Sequence, residues 1–223
     1  MELKNKKINF LGDSITEGAG ASCIEKAYVN VLKERAELAE ARNYGIGGTR
    51  YAIQKGTKAQ PKDNYVDINS FSERYDKMED DADIVVVFGG TNDYGHGDAP
   101  LGRFSDRTPD TFYGALHYVY SGLIKKYLGK PIVVLTPLHR WNELSNKGEG
   151  RKEENLAILK EYVDIMREVA EYYSLPVLDL YANSGMQPDI PEVSKALFVD
   201  GLHPNDEGHS LLAYQIERFL RSL

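Results

Sequence analysis

Along the chain, apolar and polar positions fall into blocks that switch between a two-residue and a 3.6-residue period. Ile8-Asn9-Phe10-Leu11 is a short apolar run ending at Gly12 and reads as a buried strand. After a Gly/Ala/Ser stretch, Tyr28, Val31, Leu32, Leu38 and Ala39 share one side of a helix predicted over residues 28–41. Asn43-Tyr44 ends a short second strand, and residues 45–49 form a loop. Residues 54–65 are polar, contain Pro61 and read as loop, and residues 70–78 as a short helix. The clearest strand is 83–88, a continuous β-branched run of the kind expected where both faces of a sheet are covered.

Residues 93–109 are rich in Gly, Asp and Pro, lack a period, and predict a long loop of the functional kind. Phe112, Leu116, Val119, Leu123 and Tyr127 keep helical register. Residues 131–135 form a fourth strand ended by Thr136-Pro137, and 138–150 a second long polar loop. Leu156, Leu159, Val163, Met166, Ala170 and Tyr173 predict a helix over 152–173, followed by a fifth strand at 176–179. Residues 181–204 read as irregular, and a terminal helix begins near Asn205 with Leu212, Ile216, Phe219 and Leu220 inward. Five short apolar strands separated by helices, with no repeat or linker, predict one α/β domain over 1–223. Its architecture is a three-layer α/β/α sandwich around a parallel sheet. In such a sheet the loops that follow strands converge on one edge.

Composition narrows the classes. A chain of 223 residues buries most of its unfolded surface without covalent staples. A single cysteine, Cys23, excludes an internal disulfide framework and points to a reducing compartment, so a cytoplasmic location is expected. The residues ahead of the first strand are charged, and that strand is too short for a signal h-region or a membrane span, so no membrane partner is expected. The net charge of −7 argues against nucleic acid, whose phosphates demand a basic face.

Within this frame, Gly12-Asp13-Ser14 places a hydroxyl at the carboxyl end of the first strand. The same tripeptide also suits an ordinary turn that caps a helix. Asp200-Gly201-Leu202-His203 supplies a histidine and an acid on one turn, the pair that makes a serine nucleophilic. A turn ahead of a helix capped by Asn205 accounts for residues 204–207 alone. Two glycine-bearing loops, Gly45-Ile46-Gly47-Gly48-Thr49 and Gly89-Gly90-Thr91-Asn92-Asp93, bring backbone N–H groups and a carboxamide to the same edge. Those are the donors an oxyanion requires, though tight turns favour the same residues.

These four blocks, in this order from Gly12 to His203, resemble the SGNH hydrolases, also called the GDSL esterase/lipase family. The resemblance implies a flavodoxin-like sheet of order 2-1-3-4-5, in agreement with the strand count. It implies Ser14 as nucleophile, His203 as general base and Asp200 as its orienting acid. It also implies an oxyanion hole made by the N–H groups of Ser14 and Gly48 and the Asn92 amide. Gly47 stands next to Gly48, so that assignment can shift by one residue. Thr91 between Gly90 and Asn92 departs from the family's shortest pattern. No metal or organic cofactor is implied.

Asp13, His96, His139 and Trp141 are candidate substrate contacts, while His117 and His209, on helices, are read as structural or solvated. Asp93, His96 and Asp98 match no metal-ligand spacing. A nucleotide-binding reading of the Gly45 loop fails at Arg50, the sixth position of G-x-G-x-x-G, and no G-K-[ST] occurs. The expected substrate is a small or carbohydrate ester with a short acyl group, O-acetyl esters of sugars foremost. The alternatives are a lysophospholipase or thioesterase and a catalytically inactive binding module on the same fold.

Overall fold

A computed structural model describes residues 1–53, 70–150, 152 and 156–223. Its centre is a five-stranded parallel sheet of order β2-β1-β3-β4-β5. The strands are β1 (Lys7–Gly12), β2 (Glu40–Gly45), β3 (Ile84–Phe88), β4 (Ile132–Leu135) and β5 (Val177–Leu178). This is the α/β/α sandwich and the strand order expected from the sequence. The polar segment 54–65 read as loop lies outside the described residues.

Alternation of side chains along the strands builds the two outer layers. Val85, Val87 and Val134 join a core with the helices α5 (Phe112–Lys126) and α6 (Leu159–Tyr172). Ile8, Phe10, Ile84, Val86 and Val133 face the opposite core, closed by α2 (Tyr28–Arg35) and α9 (Asp206–Ser222). Every residue of β3 is buried, as its unbroken apolar sequence requires. Among the described residues, no helix is long and apolar enough to cross a membrane.

Several local expectations are corrected. The helix expected over 28–41 stops at Arg35, because Glu37 takes a left-handed backbone (φ 50°) and Glu40 opens β2. The fifth strand shrinks to Val177–Leu178. The helix expected from 152 begins at Leu159, where the Glu161 carboxylate accepts the Ile158 N–H. Ahead of it, Leu156 and Leu159 donate their N–H groups to Asn146 and Glu143 of the preceding loop. The loop expected at 93–109 starts instead as the short helix α4 (Thr91–Gly95). The irregular stretch 181–204 contains α7 (Leu180–Asn183) and α8 (Pro191–Leu197).

Candidate active site

The residues of interest gather at the carboxyl edge of the sheet. Ser14 opens α1 (Ser14–Glu17), directly after β1. Gly12 is obligatory there, since a Cβ would sit 1.9 Å from Thr16 Oγ1. Asp13 is buried and caps α1, its Oδ1 accepting the Ile15 N–H at 3.0 Å. It therefore lies beneath the site rather than at a surface open to substrate, a correction to its reading as a contact. Burial raises the Asp13 carboxyl to about 6, against the opposing pull of the Ile15 N–H, His203 and Arg74.

His203 arrives from the far end of the chain. Its Nε2 lies 2.9 Å from Ser14 Oγ, and its Nδ1 lies 2.8 Å from Asp200 Oδ2. A carboxylate only accepts, so Nδ1 carries the proton and Nε2 accepts from the serine hydroxyl. Asp200 Oδ1 takes the backbone N–H groups of Leu202 and His203 at 3.0 and 2.7 Å, which folds the turn around its own side chain. Partial burial alone raises the Asp200 carboxyl, but these bonds and the imidazole outweigh it and hold the group below its ordinary value. The serine, histidine and acid thus form one continuous hydrogen-bonded line.

Two devices that no sequence motif advertised keep that line together. The 18–22 segment is laced to the start of α9. His209, fully buried, accepts the Tyr28 N–H on Nδ1 and donates Nε2–H to the Ala19 carbonyl. Ser22 donates its N–H and hydroxyl to Asp206, and a Cβ at Gly20 would stand 2.1 Å from the Pro204 carbonyl. On the other side, Trp141 packs on Gly201, where an added Cβ would fall 2.1 Å from the indole. Its backbone N–H donates to Gly201 O and its Nε1–H to Pro188 O. Trp141 is thus a buttress of the Asp200–His203 turn that leaves 46% of its surface exposed. Beside it an open depression is lined by Trp141, Pro188, Lys195, Phe198 and Val199.

The two glycine loops meet at the same point. Gly47 adjoins the serine, a Cβ placed on it being 3.8 Å from Ser14 Cβ, and Gly48 follows in the left-handed region at φ +72°. Asn92 is buried and donates Nδ2–H to the Thr49 carbonyl at 3.0 Å, tying one loop to the other. Arg74, which sequence reasoning missed, ties the end of β1 to the loop of Gly45–Thr49. Its buried guanidinium donates to Gly12 O at 2.6 Å, to Thr49 Oγ1 at 3.0 Å and to Tyr44 O. Burial lowers Arg74 to about 10, so it stays charged at neutral pH.

His96, expected at the rim, is instead buried behind Asn92, its Nε2 3.2 Å from Asn92 Oδ1. His139 bonds through Nδ1 to Glu143 and lies tilted against Tyr181, ring centroids 4.0 Å apart, away from the Ser14–His203 pair in its contacts. His117 is buried with Nδ1 3.1 Å from the Tyr173 hydroxyl, and is structural. Among the described residues no group of three or more His, Cys, Asp or Glu could hold a metal ion.

A parallel α/β sheet thus carries a serine, a histidine and an acid in line at its carboxyl edge. The model of the GDSL-like lipase/acylhydrolase family matches residues 10–211, and the chain belongs to that family. It is similar to a protein of solved structure from Lactobacillus plantarum, with 29% identity, a TM-score of 0.82, and coverage of 99% of this chain and 98% of the other. A lipase/acylhydrolase from Enterococcus faecalis shares the fold at 24% identity and a TM-score of 0.60, covering 97% and 96% of the two chains. So does a member of the lipolytic G-D-S-L family from Veillonella parvula, at 20% identity and 0.55, covering 97% and 99%. No curated protein matches the chain.

Proposed function

We propose that the protein is a serine esterase that removes short acyl groups, O-acetyl groups of carbohydrates foremost, through an acyl-enzyme on Ser14. The observation that carries this reading is the 2.9 Å contact of Ser14 Oγ with a histidine whose other nitrogen is held by Asp200. His203 Nε2 takes the hydroxyl proton as Oγ attacks the ester carbonyl, and Asp200 stabilises the imidazolium without itself taking a proton. The oxyanion is met by the N–H groups of Ser14 and Gly48 and by the Asn92 carboxamide. The imidazolium then protonates the departing alkoxide. Water, activated by the same nitrogen, adds to the acyl-enzyme, and collapse of that second intermediate returns the proton to Ser14 and frees the carboxylic acid.

The carbohydrate part of the reading is supported by the surroundings of the turn. An exposed indole face at Trp141 offers stacking to a sugar ring, with Ser194 and Lys195 beside it as polar partners. Profiling with p-nitrophenyl esters of increasing chain length, followed by acetate release from acetylated sugars, tests the reading. The acetate ester is expected to give the highest kcat/KM. Activity that climbs beyond about eight carbons overturns the short-acyl assignment in favour of a lysophospholipase or thioesterase.

A further inference from the structure

Behind Asn92 lies a chain of buried polar groups that the reaction scheme leaves unused. Arg50, His96 and Asn92 are each more than nine-tenths buried. Arg50 Nη1 lies 2.9 Å from His96 Nδ1, His96 Nε2 lies 3.2 Å from Asn92 Oδ1, and Asn92 Nδ2 donates to the Thr49 carbonyl. The direction of every bond follows from the first. A guanidinium only donates, so His96 Nδ1 accepts and its proton sits on Nε2. Nε2–H then donates, and the only acceptor on the Asn92 side chain is its carbonyl oxygen. Turning the amide over would press its NH₂ against Nε2–H and its oxygen against the Thr49 carbonyl, two buried contacts between like groups.

The origin of the chain is itself anchored. Asp93, next to Asn92, accepts the backbone N–H groups of Tyr51 and Ala52 at 3.0 Å each, which pins the segment bearing Arg50 against α4. We propose that Arg50 and His96 are positioning residues. Arg50 fixes the tautomer of His96, and His96 fixes the Asn92 carboxamide with its nitrogen toward the loop of Gly47 and Gly48, where the substrate oxyanion forms. The inference rests on the reading of Asn92 as an oxyanion donor. An amide locked in this way meets developing charge without reorganising, which is what makes such donors effective.

The test is a double-mutant cycle on p-nitrophenyl acetate hydrolysis by the full chain, with thermal melting followed in parallel. Asn92→Ala is expected to lower kcat about 10²–10³-fold. His96→Leu is expected to lower kcat roughly tenfold or more at nearly constant KM, the pattern of a lost transition-state interaction. In the Asn92→Ala background it should cost little further, because its effect passes through the amide. His96→Gln, which keeps one donor and one acceptor, should recover most of the loss. Full kcat in His96→Leu, or losses that multiply in the double variant, overturn the inference while Asn92 keeps its role. Full kcat in Asn92→Ala overturns the oxyanion reading and the inference together. Should His96→Leu not fold, long-range ¹H–¹⁵N spectra of the unmodified chain decide instead. A protonated Nε2 with an accepting Nδ1 on His96 supports the proposal, and a protonated Nδ1 refutes it.

Discussion

His203 Nε2 and Ser14 Oγ stand 2.9 Å apart although 189 positions separate them in sequence. The contact is a product of both flanks. Asp200 folds the histidine's own turn, while Gly20, Ser22 and His209 fasten the serine's loop to the start of α9. Geometry of this kind depends on close backbone approach, so each partner can be tested alone.

The acid of the line sets the imidazole tautomer. In Asp200→Asn the amide oxygen still accepts the Leu202 and His203 N–H groups, so the turn keeps its shape. The NH₂ then faces His203 Nδ1 and forces it to accept, which places the proton on Nε2 and blocks transfer from Ser14. We expect kcat to fall by about 10³–10⁴-fold with a melting temperature within a few degrees of the native chain. A loss below tenfold in steady-state kinetics counts against the assignment of Asp200.

Arg74 is expected to matter for stability before chemistry. Arg74→Met removes the donor to Gly12 O, Tyr44 O and Thr49 Oγ1 and leaves those acceptors without it. The cost should be about 3 kcal/mol. That corresponds to a drop in Tm of roughly 6–12 °C for a chain of this size. Calorimetry of the variant checks it, and an unchanged Tm removes Arg74 from the account.

Much of the fold was legible in the sequence. Ile84–Phe88 could be read because a strand covered on both faces has no polar interruptions, and its neighbour Ile132–Leu135 announced itself in the same way. The blocks holding Ser14, Asn92 and His203 were legible because glycine and turn chemistry mark them. The single-turn helices α4 and α7 were not, since four or five residues carry no period to detect. The overrun of α2 had another cause. Leu38 is buried like the helix face before it, so the apolar stripe continued past the point where Glu37 turns the backbone. The stretch at Lys152 failed for tertiary reasons. That lysine is drawn under the loop, with Nζ donating to Asp93 O and the Tyr162 hydroxyl. Arg74, Arg50 and the packing of Trp141 on Gly201 act between distant segments, where one-dimensional pattern holds no signal.

Two buried carboxyls, Asp13 and Asp93, should each lose their contribution to stability as pH rises from about 4 to about 6. Burial raises the carboxyls of Asp13 and Asp93 to about 6 from an ordinary 3.8. At these two positions the native state therefore binds more protons than the unfolded chain across that window, and the stability they add at low pH is lost as each ionises. Asp13→Asn preserves an acceptor for the Ile15 N–H but no longer titrates. Its Tm–pH curve should be shallower between 4 and 6 than that of the native chain, and an identical slope contradicts the assignment to Asp13.

The central claim is that Ser14 is the nucleophile, and the rate of p-nitrophenyl acetate hydrolysis by Ser14→Ala tests it most directly. With the melting temperature unchanged, kcat/KM should fall by about 10³-fold or more. Equal rates for the variant and the native chain would contradict the account and leave a binding module on an esterase fold.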